Sequence, residues 1–160
     1  MKAATVSQIK KELAYRSPEE VLELCLRLSK FKKENKELLT YLLFESIDEE
    51  EYIQNIKGEI DQEFKTINTK NFFYMKKSVR KILKLIKKYS RYSLKKETEA
   101  ELMLHFLSQL KGLRPSIRRN TTLLNLYQRQ LASVKKLIST LHEDLQYDYN
   151  QELEELKDLK

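Results

Sequence analysis

The chain has 160 residues, a length that fits one domain with a sizeable core. The chain has two glycines and two prolines, which are too few for a sheet with tight hairpin turns. The scarcity of glycine also excludes a glycine-rich phosphate loop. The single cysteine, Cys25, excludes an intrachain disulfide and suits a reducing compartment. The first residues lack the apolar core of a signal peptide, and no apolar run is long enough to span a bilayer. We therefore expect a cytoplasmic protein without a transmembrane segment.

The first part of the chain predicts four helices, beginning with a short one over residues 5–15. The second begins at Ser17-Pro18-Glu19-Glu20, a capping box with proline at the first helical position, and its apolar stripe includes Cys25. We expect that thiol to be buried. The third helix, residues 35–46, is apolar nearly all round, which is typical of a central, buried helix. Asp48 is then expected to cap a fourth helix.

The second part of the chain predicts a basic helix over residues 71–92 and a further helix. A second capping box, Thr98-Glu99-Ala100-Glu101, is expected to cap the start of that further helix, and Gly112 is expected to end it. From Leu124 to Leu145 the apolar residues repeat every seven residues, and the pattern then shifts by four. An unbroken helix of about 40 residues would be roughly 60 Å long. We therefore expect a bend near residues 146–150 or a projecting tail over residues 146–160.

Together these elements predict an all-α fold. Residues 1–160 are expected to form a single helical domain of six or seven helices, arranged as a bundle or as stacked helical hairpins. The seven-residue seam between Leu124 and Leu145 is more typical of the inner face of a bundle helix than of a dimer interface. A homodimer through the C-terminal helix remains an alternative.

Candidate catalytic and metal-binding residues are few. His105 is expected to be exposed, and His142 is expected at the edge of the apolar seam. Two histidines and one cysteine without ligand spacing do not predict a zinc site. No catalytic, metal or cofactor residue is therefore assigned, although an enzyme with an unrecognised site is kept as a further alternative.

Charge is concentrated in the basic helix. Residues 70–96 contain eleven Lys or Arg and no Asp or Glu, whereas the remaining residues, with 20 basic and 24 acidic side chains, carry a net charge of −4. On a helical wheel of about 100° per residue, the apolar side chains fall on one face and the basic ones on the adjoining face, with Phe73 among them. The candidate partner-binding residues on this basic strip are Lys77, Arg80, Lys81, Lys84, Lys87, Lys88 and Arg91.

Three kinds of anion could neutralise the strip. The first is the acidic segment 45–63 of the same chain, which has eight acids and one lysine. The second is nucleic acid, bound without sequence specificity. The third is an acidic protein or an anionic membrane surface. Because no base-reading motif is visible, we favour a non-catalytic interaction module that binds an acidic protein, with nucleic acid as the alternative partner.

Three short strings carry a resemblance to known proteins: Ile9-Lys10-Lys11-Glu12-Leu13, Ser17-Pro18-Glu19-Glu20-Val21-Leu22-Glu23-Leu24 and Glu101-Leu102-Met103-Leu104-His105-Phe106. Their layout resembles a group of short all-helical bacterial proteins of unknown function. The resemblance implies an all-α fold and no activity.

Overall fold

The computed structural model describes residues 1–157, and within that range the chain is all-helical, which confirms the predicted fold class. It contains eight α-helices and two single-turn 3-10 helices, Glu45–Ile47 and Ile117–Arg119. The eight helices are α1 (Val6–Leu13), α2 (Pro18–Phe31), α3 (Lys33–Leu43), α4 (Glu49–Lys65), α5 (Phe72–Ser93), α6 (Lys96–Gly112), α7 (Thr121–Ile138) and α8 (Glu143–Lys157).

The chain forms two compact units, the first over Met1–Phe44 and the second from Glu45 onward. In the first unit, α2 and α3 pack as a helical hairpin. The Ser17 hydroxyl accepts a hydrogen bond from the Glu20 amide, and the Glu20 side chain accepts one from the Ser17 amide, so the predicted capping box is confirmed.

The first unit buries little of its apolar surface. Among residues 1–44 only Tyr41 is buried, and Cys25 is exposed. The prediction of a buried third helix was therefore wrong, and so was the prediction of a buried thiol. The reason is that α2 covers one side of α3 and α3 covers one side of α2, which leaves the other apolar positions of both helices in solvent.

The second unit is built around α6, which contacts α4, α5, α7 and α8. Side chains on several sides of α6 are buried, including Leu102, Met103, Leu104 and Phe106. The Phe106 ring lies 5.7 Å from the ring of Phe64 on α4, measured between centroids. The central helix of the protein is thus α6, and not the helix predicted over residues 35–46.

The start of α6 differs from the prediction. The helix begins at Lys96, and Thr98, predicted to be its cap, is fully buried. The Thr98 hydroxyl donates to Glu49 Oε1 at 2.5 Å, so it binds α4 rather than its own helix end. The helix does end at Gly112, as predicted, but without a positive φ at that glycine.

The C-terminal segment is interrupted, although earlier than predicted. Helix α7 ends at Ile138 and α8 begins at Glu143, so the break lies at residues 139–142 and not at 146–150. Because α8 turns back onto α6 and α7, Leu153 and Leu156 are buried, and residues 146–157 do not project. The Tyr127 hydroxyl donates to the Leu156 carbonyl oxygen at 2.6 Å, which fixes this return. The predicted tail also included residues 158–160, which lie outside the described residues.

The predicted seven-residue seam is a packing face within the second unit. Tyr127, Val134, Ile138 and Leu141 are buried there. The inner-face interpretation of the seam is therefore confirmed for these four residues.

Candidate anion-binding surface

Helix α5 holds the candidate surface, and its two ends are well defined. At the start, the Asn71 side chain accepts a hydrogen bond from the Tyr74 amide at 3.1 Å. At the end, Leu94 adopts a left-handed conformation with φ 59°, which stops the helix. One face is anchored in the core through the buried residues Met75, Val79, Ile82 and Ile86. The burial of this face orients the basic face outward.

Five of the seven predicted strip residues form one straight row. Their separations alternate between three and four residues, which places them on a single line along the helix. From first to last the row covers about 21 Å, since an α-helix rises about 1.5 Å per residue. All five are exposed, and none has a carboxylate within 4.0 Å among residues 1–157. We call this row the cationic ridge; it consists of Lys77, Arg80, Lys84, Lys87 and Arg91.

The other two strip residues have contacts with side chains of the same chain. Lys81 Nζ lies 2.9 Å from both carboxylate oxygens of Glu63 on α4. Lys88 is half-buried, and its ammonium lies 4.6 Å from the centroid of the Tyr89 ring. Both residues lie beside the ridge rather than on it. The predicted strip therefore divides into five exposed cations without a carboxylate partner among residues 1–157 and two cations that already have contacts within the chain.

The acidic segment 45–63 forms no ion pair with the ridge, and several of its acids contact other residues. Glu49 pairs with Lys95 at 3.0 Å, and it also accepts the hydrogen bonds of the Ser93 and Thr98 hydroxyls. Glu59 accepts a hydrogen bond from the Tyr89 hydroxyl at 3.0 Å. Internal neutralisation by this segment thus accounts for Lys81 but for none of the five ridge cations.

His105 is another residue whose position differs from the prediction. Its side chain is only 23% exposed, and its Nε2 lies 2.6 Å from Oδ1 of Asp61 on α4. The prediction of a freely exposed histidine was wrong because α4 packs against α6 on this side. No sequence signal within α6 reveals that contact, since Asp61 lies 44 positions earlier in the chain.

A recess of about 680 Å³ lies beside the first half of the ridge. Phe73 lies on the line of the ridge, one turn before Lys77, and its ring is 67% exposed. The ring makes an edge contact with Tyr74 at 5.4 Å between centroids. The recess therefore offers a partner an apolar contact as well as charge. Its lining is Phe73, Lys76, Lys77, Ser78, Arg80, Lys81 and Lys84.

A polar cluster elsewhere in the second unit connects α4, α6 and α8. Lys57 Nζ lies 2.9 Å from Glu101 Oε2, and the Tyr149 hydroxyl donates to Glu101 Oε1 at 3.1 Å. Burial, followed by the nearby Glu101 carboxylate, raises the pKa of Tyr149 above its ordinary value. Burial also raises the pKa of Glu152. Lys57, Glu101 and Tyr149 satisfy one another, which is what a packing contact between helices requires.

The part of the chain that the structure describes holds no group of three or more His, Cys, Asp or Glu side chains that could bind a metal ion. None of the helices in residues 1–157 combines the length and the apolar character needed to cross a membrane. Comparisons of the chain with protein-family models, with curated proteins and with solved structures gave no match.

Proposed function

We propose that the protein is a non-catalytic helical interaction module and that its cationic ridge binds an acidic surface of another protein. The observation that carries this proposal is the set of five exposed cations on one line of α5, without a carboxylate partner among the described residues. Such an arrangement has an electrostatic cost. Like charges three or four residues apart destabilise a helix by about 0.2–0.5 kcal/mol per pair, and an anionic partner removes that cost.

An acidic helix is the partner that fits this geometry best. Carboxylates repeating every three and four residues would form a row of the same length, so each could approach one cation of the ridge. Phe73 lies at one end of the row, where an apolar contact would fix the register of the partner. An anionic membrane fits less well, because the apolar face of α5 is buried in the core and cannot enter a lipid surface.

Nucleic acid is the second candidate, and the exposed rings of Phe73 and Tyr74 favour it. Bases stack on aromatic side chains while lysines and arginines contact the backbone, and this combination is common in proteins that bind single strands without sequence preference. We rank it second because nothing along the ridge would read base edges.

Fluorescence anisotropy tests the proposal with two labelled probes, a helical peptide with glutamates at alternating three- and four-residue spacing and a mixed-sequence single-stranded DNA. The ridge variant is Arg80→Glu, Lys84→Glu and Lys87→Glu. The control variant, Arg129→Glu, Lys135→Glu and Lys136→Glu on α7, makes the same change in net charge at exposed positions. We expect the ridge variant to bind the peptide about tenfold more weakly, since three exposed ion pairs of about 0.5 kcal/mol each sum to roughly a tenfold change.

The control variant is expected to bind within about twofold of the unmodified protein. If both variants lose affinity equally, net charge rather than the ridge governs binding, and the proposal is wrong. Binding of the DNA but not of the peptide at low salt would replace the acidic protein with nucleic acid. Affinity for DNA would then fall steeply as salt rises, as expected for release of counterions from phosphates.

A further inference from the structure

The first unit exposes an unusual amount of apolar surface for a pair of packed helices. Leu22, Leu28 and Phe31 on α2 are all more than half exposed, and so are Leu42 and Leu43 on α3. So many exposed apolar side chains on two packed helices favour an interaction site, because leaving apolar surface in water is unfavourable.

Four apolar side chains of α2 form a regular row. Val21, Leu24, Leu28 and Phe31 are separated by three, four and three residues, which is the spacing of a helix–helix seam. Helix α3 covers part of this seam, since Val21 is half-buried, but the exposed fraction rises to 59% at Leu28 and 75% at Phe31.

An apolar recess of about 230 Å³ continues the exposed surface onto α3. It lies between the two helices of the hairpin, and its lining is Cys25, Leu28, Ser29, Asn35, Leu38, Leu39 and Leu42. A second pair of helices placed over this recess would close a four-helix arrangement with an apolar interior.

The distribution of charge along α2 favours a second copy of the chain as the partner. The first half of the helix carries Glu19, Glu20 and Glu23 and no base, whereas the second half carries Arg27 and Lys30 and no acid. A copy of α2 running in the opposite direction would bring its basic half to the acidic half, and two-fold symmetry would make the same contact twice. A copy running in the same direction would place like charges together.

The positions of these charges beside the seam agree with this orientation. Glu20 and Arg27 lie seven residues apart, directly before Val21 and Leu28, so they occupy the same flank of the apolar row. In an antiparallel pair each flank meets the same flank of the partner helix, and Glu20 would therefore face Arg27 of the copy. Glu20 already contacts Arg16 at 3.1 Å, but both side chains are half exposed, so water screens that pair.

We propose that the α2–α3 hairpin binds the same hairpin of a second copy of the chain, with the two α2 helices antiparallel. This surface is separate from the cationic ridge, which belongs to the other unit. The C-terminal seam is not the surface involved, because Tyr127, Val134 and Ile138 are buried within their own unit. A lipid surface is a poorer partner, because α2 carries three acids and two bases rather than the basic polar face that anionic lipids attract.

Sedimentation of the full chain over a range of concentrations tests the proposal. Arg27→Glu places a carboxylate opposite Glu20 of the copy, and Glu20→Lys places a cation opposite Arg27 of the copy. Glu20→Gln, which keeps a capping box with Ser17, is the control for the start of the helix. We expect Arg27→Glu and Glu20→Lys each to dimerise at least tenfold more weakly than the unmodified protein. The double variant Glu20→Lys/Arg27→Glu exchanges the two charges and is expected to recover dimerisation, as is an equal mixture of the two single variants.

A spin label provides a second measurement. Cys25 is the only cysteine of the chain, but it lines the recess that the copy would cover, so it is replaced by serine and the label is attached elsewhere. Because Glu23 lies at the middle of α2 on the side away from the apolar row, an antiparallel pair of Cys25→Ser/Glu23→Cys chains would hold two labels within about 25 Å, or roughly two helix diameters. A variant with Cys25→Ser and Glu19→Cys moves the label to one end of α2, where the antiparallel arrangement requires a longer distance and a parallel one does not.

Three results would overturn the proposal. The first is a chain that remains monomeric at every concentration, whether or not it binds phosphatidylglycerol vesicles. The second is a dimer that neither single charge variant weakens. The third is equal label distances from the middle and the end of α2, which would show a parallel pair. Circular dichroism of each variant separates a lost dimer from a lost helix.

Discussion

The two units of the protein use the same kind of helix with opposite results. In the second unit, α6 is covered by four other helices, and Leu102, Phe106 and Leu107 lose nearly all contact with solvent. In the first unit, the second half of α3 is also apolar on several sides, yet Leu42 and Leu43 remain more than half exposed. An apolar pattern in the sequence thus shows which side chains are suited to burial, but not whether another part of the same chain packs over them.

The largest expected change in stability comes from a comparison of two phenylalanines, one in each unit. We expect Phe106→Ala to reduce the free energy of unfolding by about 3–5 kcal/mol, because the ring is fully buried against Phe64 and its loss leaves a cavity. The matched variant Phe31→Ala, at a ring that is 75% exposed, should change it by less than about 0.5 kcal/mol in dilute protein. Urea denaturation followed by circular dichroism measures both, and similar losses would contradict the contrast.

The return of α8 onto α7 gives the next largest effect. Tyr127→Phe removes the hydroxyl that donates to the buried Leu156 carbonyl and should cost about 1–3 kcal/mol. Tyr15→Phe, at a side chain that is 88% exposed, serves as the control and should cost nothing measurable. An unchanged melting temperature in the Tyr127 variant would mean that the hydrogen bond contributes nothing to the return of α8.

The same tyrosine predicts a dependence on pH. Burial raises the pKa of Tyr127 to about 12, above the ordinary tyrosine value of 10. The unfolded chain therefore loses this proton first as the pH rises. The stability that depends on the neutral hydroxyl is complete below pH 10 and is lost between pH 10 and about 12. Thermal melts across this range should decline less steeply for Tyr127→Phe than for the unmodified protein, and parallel declines would contradict the assignment.

Helix caps in the two units sharpen the comparison further. Ser17→Ala and Asn120→Ala each remove a side-chain acceptor at a helix start, a loss of about 1 kcal/mol. At Asn120 the loss should lower the global free energy of unfolding, since α7 belongs to the packed core. At Ser17 it should appear mainly as faster amide hydrogen exchange within α2. Equal effects on global stability would show that the two units unfold together.

The smallest expected effect is a gain. Gly58 lies in the middle of α4, where an added Cβ would meet no atom within 4 Å. Gly58→Ala should therefore raise stability by about 0.5–1 kcal/mol through its higher helix propensity. A lower melting temperature would contradict this, and Gln62→Ala, one turn further along the same helix, provides a comparison for the loss of an exposed side chain.

The sequence by itself determined most of the local structure. The predicted caps at Ser17 and Asp48 and the two faces of α5 all depend on residues within one or two helical turns. Periodicity and capping act over that range, so the position of the cationic ridge followed from sequence. The separation of Lys81 from the ridge did not, because its partner Glu63 belongs to another helix.

Only the tertiary structure decided which apolar faces are covered. Thr98 has the sequence context of a cap, but in the fold its buried hydroxyl donates to Glu49 on α4. In the same way, His105 has the context of an exposed residue but contacts Asp61 on α4. Cys25 and Leu42 have the pattern of core residues and are exposed because no third layer packs over the α2–α3 hairpin within its own unit. Burial depends on which helices pack against each other in the folded chain. The contacts of Thr98 and His105 join residues more than 40 positions apart, so local sequence does not reveal them.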